Sequence, residues 1–311
     1  MAKRSSNSSL HSAKSAKNDE FYTQLSDIEK EVSHYAAQLK GKVIFCNCDD
    51  PAESNFFWHF CAKFKTYGIK KLITTHYVAE GTSYKMVVGT QKLADEITKH
   101  KRVFDFASQS YFEKLQEDGV ITPLRENGDF RSQECLALLQ QSDVVVTNPP
   151  FSLFREYVAA LDEYHKKFLI VRNDNAIAYK DIFKLIMKNK IWSGYSRVKE
   201  LKQPDGTMKQ FGNVGWFTNL EVAKHNEFLT LYKTYTPKEY PKYDNYDAIE
   251  VSKVAEIPAD YEGCMGVPIT FLDKHNPKQF DIVKFRKGDD DKDLSIDGQC
   301  PYFRILIRHR R

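Results

Sequence analysis

Asn148, Pro149, Pro150 and Phe151 stand in succession directly after the apolar run Asp143-Val144-Val145-Val146-Thr147. The two prolines fix the backbone and carry no N–H, so a turn built on them can point carbonyl oxygens outward. The Asn148 side chain adds another carbonyl acceptor. Acceptors placed this way can take both hydrogens of an exocyclic amino group and hold its nitrogen pyramidal, which frees the lone pair from the ring. Phe151 offers an apolar face on which a flat base can stack. An amine so held can attack a sulfonium methyl directly and shed its proton afterwards. No charged base is then obligatory, and rate comes from orientation and electrostatics. The same four residues also suit a plain turn after a strand, and alone they do not decide between the two. Their place at the end of the clearest buried strand favours the chemical reading, because open α/β sheets bind ligands beyond the carboxyl ends of their strands.

The elements that must position this motif alternate along the chain. Residues 24–40 predict a helix with Leu25, Ile28, Val32, Tyr35 and Leu39 on one face, ended by Gly41. Val43-Ile44-Phe45-Cys46 reads as a strand buried on both faces. Asp50-Pro51-Ala52-Glu53 reads as a helix start, with a capping acid and proline at the first position, and that helix runs through Asn55 to Tyr67 and stops at Gly68. Lys71–Thr75 is a second strand. Residues 83–106 read as a β-hairpin, with a helix over Leu93–His100 as the alternative. After the strand 143–147 come a helix over Phe151–Tyr164, a strand over Lys167–Val171 and a helix over Tyr179–Lys188. Strands alternating with helices predict an α/β fold on a doubly wound, mostly parallel sheet. Pro204-Asp205-Gly206 is a turn joining two strands, and Val214–Thr218 is a further strand. Beyond residue 236, Pro237, Pro241, Pro258, Pro268, Pro277 and Pro301 and many tyrosines predict an irregular second lobe against the sheet. Asp289-Asp290-Asp291 reads as a solvated loop.

Charge and cysteines set further bounds. The formal charge is +4, and Lys3, Arg4, Lys14 and Lys17, in a stretch without acids, account for all of it. That arm is expected to be disordered alone; it suits phosphate tracking and solubilisation equally. Bulk charge therefore does not argue for nucleic acid. Cys46, Cys48, Cys61, Cys135, Cys264 and Cys300 are scattered, which is no disulfide framework. Cys46, Cys48, His59 and Cys61 lack the spacing of a zinc site; Cys46 and Cys48 sit in an apolar strand and the cysteines read as reduced, mostly buried thiols, so no metal is expected. No apolar run reaches bilayer length and no signal segment opens the chain, so a cytoplasmic location is expected.

Other segments join the motif in a familiar order. Asp19-Glu20-Phe21-Tyr22-Thr23 comes first, then the strand at Val43, then Gly128-Asp129-Phe130, then Asn148-Pro149-Pro150-Phe151. This order resembles that of adenine-N6 methyltransferases whose target-recognition part is C-terminal. The stretches Cys46–Pro51, Ser54–Phe57, Gly128–Ser132, Val145–Tyr157, Tyr240–Ile249, Gly266–Leu272 and Cys300–Ile307 resemble the EcoRI-type adenine-specific DNA methyltransferases over nearly the whole chain. The resemblance implies a Rossmann-like S-adenosylmethionine-dependent fold and transfer of the cofactor's methyl group to adenine N6 in double-stranded DNA. It further implies the sequence GAATTC, in a bacterial restriction–modification system whose cognate endonuclease acts on the same site, with a chain able to act as a monomer. Asn148, Pro149, Pro150 and Phe151 would be catalytic. Phe21, Tyr22, Thr23, Cys48, Asp49, Asp50, Asn55, Asp129, Phe130 and Asn148 would bind the cofactor, with Asp129 on its adenine amino group and Phe21-Tyr22-Thr23 over its methionine end. The usual glycine-rich loop is missing; Asp50–Asn55 stands in its place, where a helix start would favour a carboxylate. Residues 193–215 differ from the EcoRI-type pattern, so the bases read are open. The expected organisation is a basic arm over 1–17, a catalytic cofactor-binding core over 18–192, and 193–311 carrying remaining core strands and a DNA-recognition lobe.

Adenine N6 is stacked and paired in a duplex, so such an enzyme must extrude the base. Phe151 would stack on it, with Trp216 or Phe217 as candidates for the other side. Lys14, Lys17, Arg155, Arg197, Lys199, Lys202, Lys209 and Trp216 are the candidate DNA contacts, the cations more as phosphate than base contacts. Two other readings stand beside this one: an amino-group methyltransferase acting on RNA or a protein glutamine, and a non-catalytic DNA-binding protein of the same fold.

Overall fold

The computed structural model describes residues 21–48, 50–51, 54–79, 83–100, 109–203, 206–286, 294–299 and 303–310. The expected arm with Lys14 and Lys17 lies outside the described residues, as do Asp49, Pro204, Asp205 and the acidic run 289–291. The chain divides into two compact units, 1–176 with 196–220, and 177–195 with 221–311.

A nine-stranded sheet organises the first unit. Its strands are β1 (Tyr22–Thr23), β2 (Val43–Cys46), β3 (Lys71–Thr75), β4 (Tyr84–Val88), β5 (Ile121–Pro123), β6 (Val144–Thr147), β7 (Lys167–Asn173), β8 (Trp192–Lys202) and β9 (Met208–Thr218). Their spatial order is β1-β8-β9-β7-β6-β2-β3-β4-β5. The central strands β3, β2, β6 and β7 pair in parallel, and β4, β5 and β9 extend the sheet antiparallel. The apolar runs foreseen for these central strands are buried because elements cover a parallel sheet on both faces; Val144–Thr147 is buried throughout. Chain order leaves β2 toward β3 on one side, while β6 and β7 lie on the other. The switch point therefore falls between the carboxyl ends of β2 and β6.

Local physics sets the helices. The predicted helix over 24–40 is broken into Leu25–Val32, a 3-10 turn Ser33–Tyr35, and Ala36–Leu39. Ile28, Val32, Tyr35 and Leu39 are buried as expected, whereas Leu25 at the helix start is exposed. Glu31 is fully buried and accepts from Tyr35 Oη at 2.9 Å and from both the N–H and the hydroxyl of Ser196 at 2.7 Å. Three donors meet the cost of burying that carboxylate and tie the helix to β8. The helix Asn55–Tyr67 is capped by Ser54, whose hydroxyl accepts from Phe56 N, and not by Asp50. Gly68 ends it in the left-handed conformation at φ 60°.

The sequence expectation differs from the structure in two further places. Residues 83–106 do not form a hairpin: β4 is followed by a helix over Gln91–His100, the alternative reading, and 101–108 lie outside the described residues. The C-terminal residues are not irregular. The second unit contains a four-stranded sheet of β10 (Ala248–Glu250), β11 (Cys264–Pro268), β13 (Arg304–His309) and β12 (Phe280–Arg286), in that spatial order. β10 and β11 span only three and five residues, and Pro258, Pro268 and Pro277 interrupt the chain around them, so their period-2 pattern is hard to see in the sequence. Tyr243, Ala248, Leu294 and Leu306 form an apolar cluster there. The buried Glu250 takes Arg304 at 2.6 Å and the hydroxyl of Tyr243. No helix among the described residues is long and apolar enough to cross a membrane.

Candidate active site

The tips of β2 and β6 are joined by side chains. Thr147 donates its hydroxyl to the Asn47 carbonyl, and the Tyr157 hydroxyl donates to Asn47 Oδ1. Asn47 is buried, so both bonds satisfy groups that water cannot reach. The chain beyond β6 is thereby fixed at the switch point, and the next residues are Asn148-Pro149-Pro150-Phe151.

Asn148 donates Nδ2 to the main-chain carbonyl of Phe21. A carbonyl only accepts, so this bond decides which end of the amide faces which way. Asn148 Oδ1 then points elsewhere; it is buried and has no hydrogen-bond partner among the described residues. Pro149 is buried and Pro150 half-buried. The Pro150 carbonyl accepts from Leu153 N at 3.1 Å and closes a 3-10 turn over Phe151–Leu153, which leads into the helix Phe154–Glu163. Phe151 is half-buried and lies across Phe21 with ring centroids 5.9 Å apart and planes at 29°.

The Phe21-Tyr22-Thr23 segment reaches this place through β1, whose Tyr22 pairs with Lys202 and Thr23 with Leu201. Asn55, at the start of its helix, donates Nδ2 to Thr23 O at 2.8 Å. Thr23 Oγ1 is buried without a partner among the described residues. Cys48 follows β2 in the left-handed region at φ 64°, where the backbone turns away from the strand.

Asp50 has a different task from the expected cap. Its carboxylate lies 3.2 Å from His76 Nε2 and accepts from the Tyr84 hydroxyl at 3.2 Å, while the two rings stack with centroids 4.7 Å apart. Burial, with Asp50 beside it, pushes the Tyr84 phenol far up, so it stays a donor. His76 Nδ1 is buried without a partner among the described residues. Sequence reasoning passed over His76. The signal was its position, since it directly follows β3, a central parallel strand.

Gly128 brings the next segment against the same strand end. Its φ is 77°, and a Cβ there would sit 2.0 Å from His76 O and 2.4 Å from Ser83 Oγ. Asp129 follows, half-buried. Its carboxylate takes Arg131 Nε at 2.9 Å and Nη2 at 2.7 Å, plus the Arg131 N–H at 2.8 Å. These Arg131 hydrogen bonds hold the Asp129 carboxyl below the usual aspartate range. Arg131 also reaches Glu156 at 2.7 Å. Phe130 is buried edge-on to Tyr157, with centroids 5.0 Å apart.

One expected DNA contact is buried and another is engaged in an ion pair. Trp216 is 1% exposed, paired in register with Val171 and packed edge-on to Phe56, so it fills the core and has no face to offer DNA. Phe217, the other candidate for the second side of a base, is equally buried beneath the Arg172 guanidinium. Arg197 pairs through both terminal nitrogens with Asp174, which also binds the buried Arg172. Arg197 is partly buried in this pairing. Lys199, Lys202 and Lys209 are exposed along β8 and β9, and Arg155 is exposed on the helix Phe154–Glu163. Phe211, which sequence reasoning did not single out, joins the aromatic group: it meets Phe21 edge-on at 5.3 Å.

His59 and Cys61 are buried in the helix Asn55–Tyr67. His59 bonds to Tyr67 Oη at 3.2 Å, and burial pushes it down to about 4. No group of three or more His, Cys, Asp or Glu among the described residues is arranged to hold a metal.

Comparison with known proteins places these features in context. A family model described as adenine-specific methyltransferase EcoRI matches residues 9–310. The type II methyltransferase M.EcoRI of Escherichia coli is 46% identical, over 100% of this chain and 99% of its own. The type II methyltransferase M.MpnI of Mycoplasma pneumoniae is 37% identical over 87% and 83%, and M.MgeORF184P of Mycoplasma genitalium is 38% identical over 96% and 98%. No solved structure matches the chain.

Proposed function

We propose that this chain, which belongs to the adenine-specific EcoRI methyltransferase family, transfers the methyl group of S-adenosylmethionine to N6 of an adenine extruded from duplex DNA. The target sequence on this reading is GAATTC, methylated as the modification half of a type II restriction–modification system. The observation that carries the proposal is Asn148 Oδ1: a buried acceptor without a partner among the described residues, at the switch point of the sheet, with its amide turned by Phe21. A buried acceptor costs about 1–3 kcal/mol when unsatisfied, so its retention fits a donor that arrives with the substrate.

The amine's first hydrogen goes to Asn148 Oδ1. The Pro150 carbonyl already accepts from Leu153 N, and the second is assigned to the Pro149 carbonyl. Phe151 stacks on the base. The residues at the sheet's carboxyl edge suit the cofactor. Thr23 Oγ1 and His76 Nδ1 are further buried polar atoms without partners among the described residues. The Asp129 carboxylate, kept ionised by Arg131, accepts from the cofactor's amino group, while Phe21, Tyr22 and Thr23, with Asn55, Cys48 and Asp50, line its other end. When bound, S-adenosylmethionine supplies an electrophilic methyl on a sulfonium. The chain's part is to bring the nitrogen lone pair into line with it, exclude water and let the amine's proton leave after transfer. The fold reading is the Rossmann-like form of such enzymes, with a C-terminal target-recognition lobe. Lys199, Lys202, Lys209 and Arg155 meet phosphates, joined by Lys14 and Lys17 of the arm.

Tritiated methyl transfer to duplex DNA with and without GAATTC, to RNA and to protein tests this. Label is expected on adenine in GAATTC duplexes. Label on RNA or protein alone, or on none, would reject the proposal, and label on other duplexes would reject the site.

A further inference from the structure

Phe211 has no part in the chemistry above, yet its ring is packed against a residue that has one. It meets Phe21 edge-on at 5.3 Å, and Phe21 in turn lies on Phe151. The ammonium of Lys209 sits 5.7 Å from the Phe21 centroid and 5.4 Å from that of Phe211, so the cation spans both rings. Phe21 directly precedes β1, a strand of only two residues held by its pairing to β8. Besides that pairing the segment is anchored by Asn55 on Thr23 O, and the Phe21 ring contacts add a hold on the residue just ahead of the strand. The Phe21 carbonyl takes Asn148 Nδ2. A side-chain amide turned over would present N–H groups where an acceptor is needed. The orientation of the Asn148 amide therefore runs back through Phe21 to Phe211.

We propose that Phe211 is a positioning residue for methyl transfer: it braces Phe21, so that the Phe21 carbonyl keeps Asn148 Oδ1 facing the amine. This rests on the methyl-transfer reading above. It assigns the β8–β9 hairpin, which carries exposed Lys202 and Lys209, a direct line to the reacting amide.

The test compares full-length wild type with Phe211→Leu, which keeps apolar bulk without a ring, and Phe211→Tyr, which keeps the ring. Single-turnover methyl transfer is measured at saturating GAATTC duplex and S-adenosylmethionine, with KM for DNA and thermal unfolding alongside. The expected result for Phe211→Leu is a rate at saturation lower by about tenfold, the scale of one lost aromatic pair. KM for DNA and the unfolding temperature should hold, and Phe211→Tyr should keep the wild-type rate. Wild-type turnover in Phe211→Leu would overturn the proposal, as would an equal loss in Phe211→Tyr or a loss confined to KM or stability. Absence of transfer by wild type itself would instead strike the methyl-transfer reading.

Discussion

Thr147 donates its hydroxyl to the carbonyl of Asn47, so the last residue of β6 is tied to the first residue beyond β2. The two lie 100 residues apart in the chain. This bond sets the height at which Asn148 leaves the sheet, and the Phe21 carbonyl then turns its amide.

Asn148→Ala removes that acceptor and leaves the Phe21 carbonyl without its donor. Transfer is expected to fall by at least about 10²–10³-fold, the scale seen when one preorganised hydrogen-bonding group is removed. S-adenosylmethionine should still bind. Calorimetry for the cofactor and single-turnover transfer check both halves, and near wild-type turnover would refute the assigned role.

Gly128→Ala should be costly because φ is positive and a Cβ would meet His76 O at 2.0 Å. A loss of about 2 kcal/mol or more is expected in denaturant unfolding, together with weaker cofactor binding as the Asp129 loop is pushed off β3. An unperturbed unfolding midpoint would show that the loop accommodates the methyl.

Asp129 titrates below the usual aspartate range, chiefly through its hydrogen bonds from Arg131. A depressed folded value contributes stability above the unfolded value of about 4, and this is lost as pH falls through the folded value. The difference in melting temperature between wild type and Asp129→Asn should hold steady between about pH 6 and 8 and shrink below about pH 4. Asp129→Ala should chiefly weaken cofactor binding. A stability difference that grows on acidification, or an unchanged cofactor dissociation constant, would count against these assignments.

Trp216 and the exposed lysines should separate cleanly. Trp216→Ala is expected to cost about 3–5 kcal/mol of stability through the cavity it leaves. The milder Trp216→Phe should leave DNA affinity and its salt dependence unchanged. The double variant Lys199→Gln with Lys202→Gln should instead reduce the slope of log K against log salt by about 2, at constant stability. Salt titrations of duplex binding decide; a slope moved by Trp216→Phe and not by the lysine pair would reverse the assignment.

Apolar runs determined the central strands by themselves. Val43–Cys46, Lys71–Thr75 and Val144–Thr147 were legible because a strand covered on both faces has no polar alternation. Gly68 marked a helix end because only a residue without Cβ turns left-handed cheaply. The Asn-Pro-Pro-Phe turn was legible for the same local reason: proline restricts its own backbone wherever it stands. What the residues could not decide alone is which of them meet. Ser54 rather than Asp50 caps a helix, while Asp50 is drawn to His76, just beyond β3, and to Tyr84 of β4. Arg197 meets Asp174, and Trp216 is buried where β9 pairs with β7. Phe21 reaches Asn148 across 127 residues, and Phe211 reaches Phe21 only because β8 and β9 bring them together. Local sequence dictates periodicity, caps and turns. Partners distant in the chain become neighbours only when the sheet closes its order, and the orientation of the Asn148 amide is fixed by such a partner.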